Sequence, residues 1–370
     1  MNKRLRQWIG LAAVATLLVL VLWRFTESPD WRGFSWERVW SLLIHANPTW
    51  LAGAVVLSCT SYLIRAYRWK FFLDPFKRAS VAVLFAGQVL GFSAVYLIGR
   101  PGEVVRPAYI ARQENVPFAS QVAILVLERL YDMVAVALLF GLALYIEPIP
   151  LHGARAVQTL HRLHQGALGV LLGTAGLVAA LVLYRSYAEG LIAWAGGTLR
   201  FLPVRLRRAL GGIARSFAEG LDVIRDWHDL IASVASTAVL WLVNISVYWM
   251  VYQSLGGALG KLSWWASTVV MFGAGVGLMF QLPGVGGGFQ IAVLFVLRQL
   301  FQIAPAAATS AALLQWLVLL VPCLLLALIF LIYGGLSFEK LRDMAGAEQE
   351  SASRAGAADD PLRKVANAPR

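Results

Sequence analysis

A chain of 370 residues that is 59% hydrophobic and 14% charged cannot be a soluble globular domain, and reads instead as an integral membrane protein. Its net charge of +12 would suit a nucleic acid in a soluble protein, but loops on the cytoplasmic side of a membrane account for it, so nucleic-acid binding is not expected. Cys59 and Cys323 both lie inside apolar runs, which excludes a disulfide framework, and the five histidines show neither HExxH spacing nor cysteine partners, so no metal site and no cofactor is expected.

A helical span takes about 20 apolar residues. Runs of that kind fall near 7–24, 49–66, 80–98, 119–146, 167–185, 231–254, 264–282, 287–303 and 309–335. They favour Leu, Ala, Val and Gly without period-two alternation, which indicates helices rather than a membrane barrel. The first run follows "MNKRLRQW" and has no small-x-small cleavage site, so it reads as a retained first helix.

Positive residues prefer the cytoplasmic side. If 80–98 crossed completely, most of the Lys and Arg in the connecting segments would lie outside. If 80–111 instead dips in from the cytoplasm and returns, most lie inside. The expected fold is therefore an all-α polytopic membrane protein with about six full transmembrane helices plus two re-entrant or broken helical hairpins, N-in and C-in. It forms a single transmembrane domain over residues 1–335.

The segment "GRPGEVVRPAYIAR", 99–112, explains the return. Gly99, Pro101, Gly102 and Pro107 each weaken or break a continuous helix. The backbone groups freed by a break are tolerated in hydrocarbon only against other protein or a water-filled cavity, so 99–107 should line a polar interior space. A second break, "QLPGVGGGFQ" at 281–290, contains Pro283, Gly284, Gly286, Gly287 and Gly288 and is followed by an apolar run. It is either a mirror of the first hairpin, entering from outside, or a tight turn between two ordinary helices.

Arg100, Glu103 and Arg106 are spaced by three and share a face if helical geometry resumes after Pro101. Within the apolar run 119–146 stand Glu128, Arg129 and Asp132, each costly there unless paired or hydrated. Glu128 and Asp132 are four apart, so both should turn towards the arginines of the re-entrant segment. The cluster is either a self-neutralised structural knot or an anion site. As a site, Arg100, Arg106 and Arg129, with Gly99 and Gly102, would bind a lipid phosphate, while Glu103, Glu128 and Asp132 tune the charge or carry protons.

Further on, Leu206, Leu210, Ile213, Phe217, Leu221 and Ile224 give 203–227 the spacing of an amphipathic interfacial helix. Its Arg205, Arg207, Arg208 and Arg215 would meet anionic headgroups of the cytoplasmic leaflet, or the helix would simply dock on the bundle. Residues 340–370 have the composition of a disordered cytoplasmic tail.

Three motifs, Gly99-Arg100-x-Gly102-Glu103-x-x-Arg106-Pro107, Glu128-Arg129-x-x-Asp132 and Pro283-Gly284 with the glycine run to Gly288, resemble the lysylphosphatidylglycerol synthase transmembrane-region family. That family includes the flippase-like domain of the multiple peptide resistance factor and many stand-alone relatives, and the resemblance covers about residues 40–335. It implies a polytopic helical domain with re-entrant segments, associated with moving lipids between leaflets, and the leading expectation is a translocase of the bacterial inner membrane rather than an enzyme. Where relatives often carry Glu after the glycine-rich turn, this chain has Gln290. The longest polar connection, 185–230, leaves no room for a soluble aminoacyltransferase, so lysyl transfer is not expected. Stand-alone relatives linked to hopanoid, polyprenyl or glycolipid pathways imply two alternatives, a lipid-modifying transferase or a scaffold for lipid-biosynthesis enzymes.

Overall fold

The computed structural model describes residues 34–74, 77–149, 227–282 and 286–333, with isolated positions between 158 and 190. The expectations for the first apolar run, for most of 167–185, for 203–227, for the tail, for Pro283 and Gly284, and for the side chain of Arg100 lie outside the described residues. Those residues form a helical multi-pass membrane protein, in which four helices are long and apolar enough to cross a membrane.

A short amphipathic helix, α1 (Trp36–Ile44), is capped by Ser35, whose hydroxyl accepts from the Arg38 N–H at 3.4 Å. The first long helix, α2 (Pro48–Leu73), begins at Asn47, whose side chain accepts from the N–H groups of Thr49 and Trp50, with Pro48 at the first helical position. It runs through Arg65, Arg68 and Lys70 without a break. The helix thus runs past the end of the apolar stretch 49–66 and carries both Arg65 and Arg68 inside it. Their charge is met by acidic groups on another helix, so the helix has no reason to end before them.

The next elements are α3 (Val81–Ile98), a 3-10 turn at Arg100–Val104, and α4 (Val105–Glu114). With ten residues, α4 is about 15 Å long, half of a hydrocarbon core of about 30 Å. It cannot cross, and it folds back along α3. The reversal occurs at Gly99, whose φ of 77° is left-handed. Along the hairpin Gly91 faces Arg106 and Gly87 faces Ile110, side chain against bare backbone. At its base Glu114 accepts from the Ser80 N–H at 3.1 Å and pairs with Lys77 at 3.4 Å. The segment therefore returns to the level at which it began, as the re-entrant reading requires. One detail differs from the sequence reading. Pro107 is the third residue of α4, within the first turn, where a missing N–H costs no hydrogen bond, so it starts a helix rather than breaking one.

The close approach within this hairpin is testable. A Cβ on Gly102 would collide with the Ala94 and Val95 backbone of α3, whereas one on Gly141 meets nothing within 4 Å. Gly102→Ala should lower stability by about 1–3 kcal/mol, read as a lower midpoint of thermal unfolding in detergent. Gly141→Ala should leave the midpoint unchanged or raise it slightly.

After α5 (Phe118–Ile146) and α6 (Trp227–Leu255), both 29 residues long, comes a second reversal. It consists of α7 (Trp264–Gly277), a 3-10 turn at Leu278–Phe280, a two-residue antiparallel ladder pairing Gln281 with Gly287 and Leu282 with Gly286, and α8 (Gly288–Gln299). At 14 and 12 residues, α7 and α8 are about 21 and 18 Å long, too short to be ordinary spans. Their backbones nearly touch, Gly277 lying against the Gly288 carbonyl. The glycine-rich segment is thus the tip of a second hairpin, and the tight-turn alternative falls away. Gly286, Gly287 and Gly288 form that tip, and Gln290 lies in the first turn of α8.

Helices α2 and α6 pack antiparallel along their length. At one end the Asn47 N–H donates to Ser254 O at 2.7 Å and the rings of Trp50 and Trp249 lie 5.3 Å apart; at the other Arg68 reaches Thr237 at 3.2 Å. Each hairpin follows the C-terminal end of one of this pair, so the two enter from opposite ends of the bundle. The last helix, α9 (Pro305–Tyr333), carries Pro322 in its interior, and Tyr62 donates to Leu319 O at 3.3 Å in the turn that the proline opens.

Candidate functional site

Four elements bring charged groups together in the middle of the fold. Arg68 of α2, 0% exposed, sends Nη2 to Glu128 Oε1 at 2.6 Å and Nη1 to Asp132 Oδ1 at 2.7 Å and Thr237 Oγ1 at 3.2 Å. From α4, Arg106 places Nη2 2.9 Å from Glu128 Oε2 and donates from Nη1 to Gln88 Oε1 at 2.6 Å. Its guanidinium is 4.3 Å from the centre of the Trp69 ring, and Trp69 is held in turn by its Nε1 donating to Gln121 Oε1 at 3.0 Å. Arg65 reaches Glu128 only at 3.6 Å and covers the Phe92 ring at 4.9 Å. Asp132 also accepts from Trp241 Nε1 of α6 at 3.1 Å.

The geometry sorts the charges into two kinds. Arg68, Arg106 and Glu128 are buried and closely paired, the arrangement that keeps an ionised group tolerable in a low-dielectric interior. Arg129 is different. Its side chain is 42% exposed and stands 3.9 Å from both Glu103 and Asp132, beyond hydrogen-bond reach. Four guanidinium groups face three carboxylates among the described side chains, so one positive charge is in excess. The loosely held cations, Arg65 and Arg129, are those that face open space.

That space is a cavity of about 480 Å³. Arg65, Glu103, Arg129 and Asp132 line one part, and an apolar wall that includes Val136, Phe140, Met271 and Phe272 lines the rest. Both hairpins contribute, the first through Val95 and Glu103, the second through residues of α7 and the 3-10 turn after it. A cavity with an ionic end and an apolar wall matches a molecule with a charged head and a hydrocarbon chain.

Of the residues expected from sequence, Arg106, Glu128, Arg129, Asp132 and Glu103 do converge. Glu103 lies opposite Arg129, and Arg106 sits behind the cavity rather than on its wall. Gly99, Pro101 and Gly102 form the tip of the first hairpin, and Gly287 and Gly288 at the tip of the second are not on the cavity wall. Sequence reading missed Arg65, Arg68, Gln88, Trp69 and Trp241. The available signal was helical spacing, since Tyr62, Arg65 and Trp69 continue one face of α2 in steps of three and four.

Residues 7–327 match the family model described as the lysylphosphatidylglycerol synthase TM region. The chain belongs to that family. A further resemblance is to glycosyltransferase AglD of Haloferax volcanii, 24% identical over 328 residues that cover 81% of this chain and 50% of the relative. Another is to a UPF0104 membrane protein of Pyrococcus horikoshii, 23% identical over 306 residues, covering 76% of this chain and 83% of that protein. The chain thus spans half the length of the Haloferax relative and most of the Pyrococcus one. In this member of the synthase TM-region family, the two acidic positions of the second motif, Glu128 and Asp132, both hold Arg68, which lies in none of the three motifs.

Proposed function

We propose that the protein is a lipid translocase of the cell's inner membrane, moving an anionic or headgroup-modified lipid between leaflets. The observation that carries this reading is the amphipathic cavity walled by both opposed hairpins. Arg65 and Arg129 grip the headgroup phosphate, for which the guanidinium fork is geometrically suited. Arg68, Glu128 and Arg106 hold the frame on which Arg65 is mounted, and the apolar wall receives the chain. Opposed broken helices meeting near the midplane are a common basis for alternating access.

The test is lipid movement in vesicles containing the purified protein and headgroup-labelled phosphatidylglycerol. A charge-assisted hydrogen bond contributes about 1.5–3 kcal/mol, so Arg129→Ala and Arg65→Ala should each slow flipping about 10- to 100-fold, with Arg129→Lys in between. Parent protein that flips no faster than empty vesicles, or variants as fast as the parent, would overturn the reading. A second reading, a lipid-modifying transferase, follows the name of the Haloferax relative. Product formed from a lipid-linked sugar by the purified chain alone would establish it.

A further inference from the structure

The described chain repeats one plan. A long helix, a hairpin and a second long helix occur as α2, α3–α4 and α5, and again as α6, α7–α8 and α9. Both closing helices have 29 residues. Both hairpins contain a glycine with left-handed φ, 77° at Gly99 and 76° at Gly287. The opening helices are antiparallel, as a two-fold axis lying in the membrane plane demands.

Packing between the halves follows the same symmetry, because each closing helix leans on the other half. From α5, Phe140 stacks on Phe272 of α7 with centroids 3.8 Å apart. From α9, Cys323 O accepts from Ser93 Oγ of α3 at 3.3 Å, and Cys323 Sγ lies 3.5 Å from Val89 O. Counting from their first residues, Asp132 and Leu319 occupy the same place in α5 and α9. Each accepts a hydrogen bond from the opening helix of the opposite half, Asp132 from Trp241 and the Leu319 carbonyl from Tyr62.

One turn earlier, Glu128 of α5 corresponds to Gln315 of α9. Gln315 is 0% exposed, and among the described residues neither its Oε1 nor its Nε2 has a hydrogen-bond partner. The neighbouring Trp316 Nε1 is likewise unpartnered. Buried amides in folded proteins are normally satisfied, so this one asks for a group that the described residues do not supply.

We infer that the chain is an inverted repeat in which Gln315 is the uncharged counterpart of Glu128 and forms a second polar site that binds a hydroxyl group. A primary amide presents donors and an acceptor together, and so does a hydroxyl, which complements it without bringing a charge into the core. Water and a lipid headgroup share that chemistry. The inference rests on the fold and not on lipid movement.

Thermal unfolding of the full purified chain tests it, in detergent micelles supplemented with phosphatidylglycerol or with phosphatidic acid of the same acyl chains. These lipids share the phosphate and differ in the glycerol hydroxyls. Gln315→Leu should lower the midpoint by about 2–4 °C or more. If the parent is more stable in phosphatidylglycerol and Gln315→Leu erases that difference, the hydroxyl belongs to the lipid; an equal loss in both lipids assigns it to water. A midpoint that rises or stays unchanged in Gln315→Leu overturns the inference, since removing an unsatisfied amide from a dry core stabilises it. Gln315→Met, unbranched and uncharged, guards against a folding defect specific to leucine: it should lose stability in the same direction, and a midpoint at or above the parent's overturns the inference as well.

Discussion

Glu128→Ala is expected to destabilise the protein more than any other single substitution in the cluster, by about 3–5 kcal/mol. The carboxylate lies 2.6 Å from Arg68 and 2.9 Å from Arg106, and 3.6 Å from Arg65. Without it, Arg106, 4% exposed, loses its only acidic neighbour within 4 Å among the described residues, and Arg68 keeps only Asp132. Burying an uncompensated charge costs far more than the pair itself contributes, so the loss reflects the stranded guanidinium groups rather than one missing contact. Glu128→Gln keeps the shape and one acceptor and should fall between parent and alanine. Thermal midpoints in detergent, with monodispersity on size exclusion, would measure both. A Glu128→Ala protein as stable as the parent would show that water reaches the cluster freely.

The second large effect is topological and close to all-or-none. In a background free of Cys59 and Cys323, single cysteines replacing Lys77 and Gln113, both exposed near the base of the first hairpin, should react with a membrane-impermeant reagent from one side only. Cysteines replacing Lys261 and Gln302, exposed at the base of the second, should react only from the other. The first pair stands beside the Lys77–Glu114 contact, and the antiparallel packing of α2 and α6 puts the second pair at the opposite end. Labelling of positions 77 and 113 from different sides would mean that the segment from α3 to α4 makes a net crossing, which the contacts of Glu114 with Ser80 and Lys77 do not permit.

Much of the architecture was legible because it rests on composition. Gly99, Pro101 and Gly102 cannot sit quietly in a continuous helix, and the count of basic residues distinguished a returning segment from a crossing one. The acidic pair of α5 was expected to face the arginines of the first hairpin, and Glu128 does meet Arg106. What stayed hidden depends on distant partners. A hydropathy reading ends a helix at its first arginine, yet Arg65 and Arg68 remain inside α2 because Glu128 and Asp132, some sixty residues later, neutralise them. Nor could composition decide the second break, where helix lengths of 14 and 12 residues made the difference. The cavity was out of reach for another reason, since it is the space left between side chains of α5, α7 and the first hairpin.

The stacking of Phe140 on Phe272, and the contact of Glu147 with Ser263 at the end of the same helix, clamp the closing helix of one half to the hairpin of the other. Through Ser93 and Cys323 the reciprocal clamp is made. Neither hairpin can therefore swing without dragging a lever anchored across the seam. For the translocase proposed above, such a linkage favours a rocker in which one mouth shuts as the opposite one gapes, and it disfavours a continuous pore.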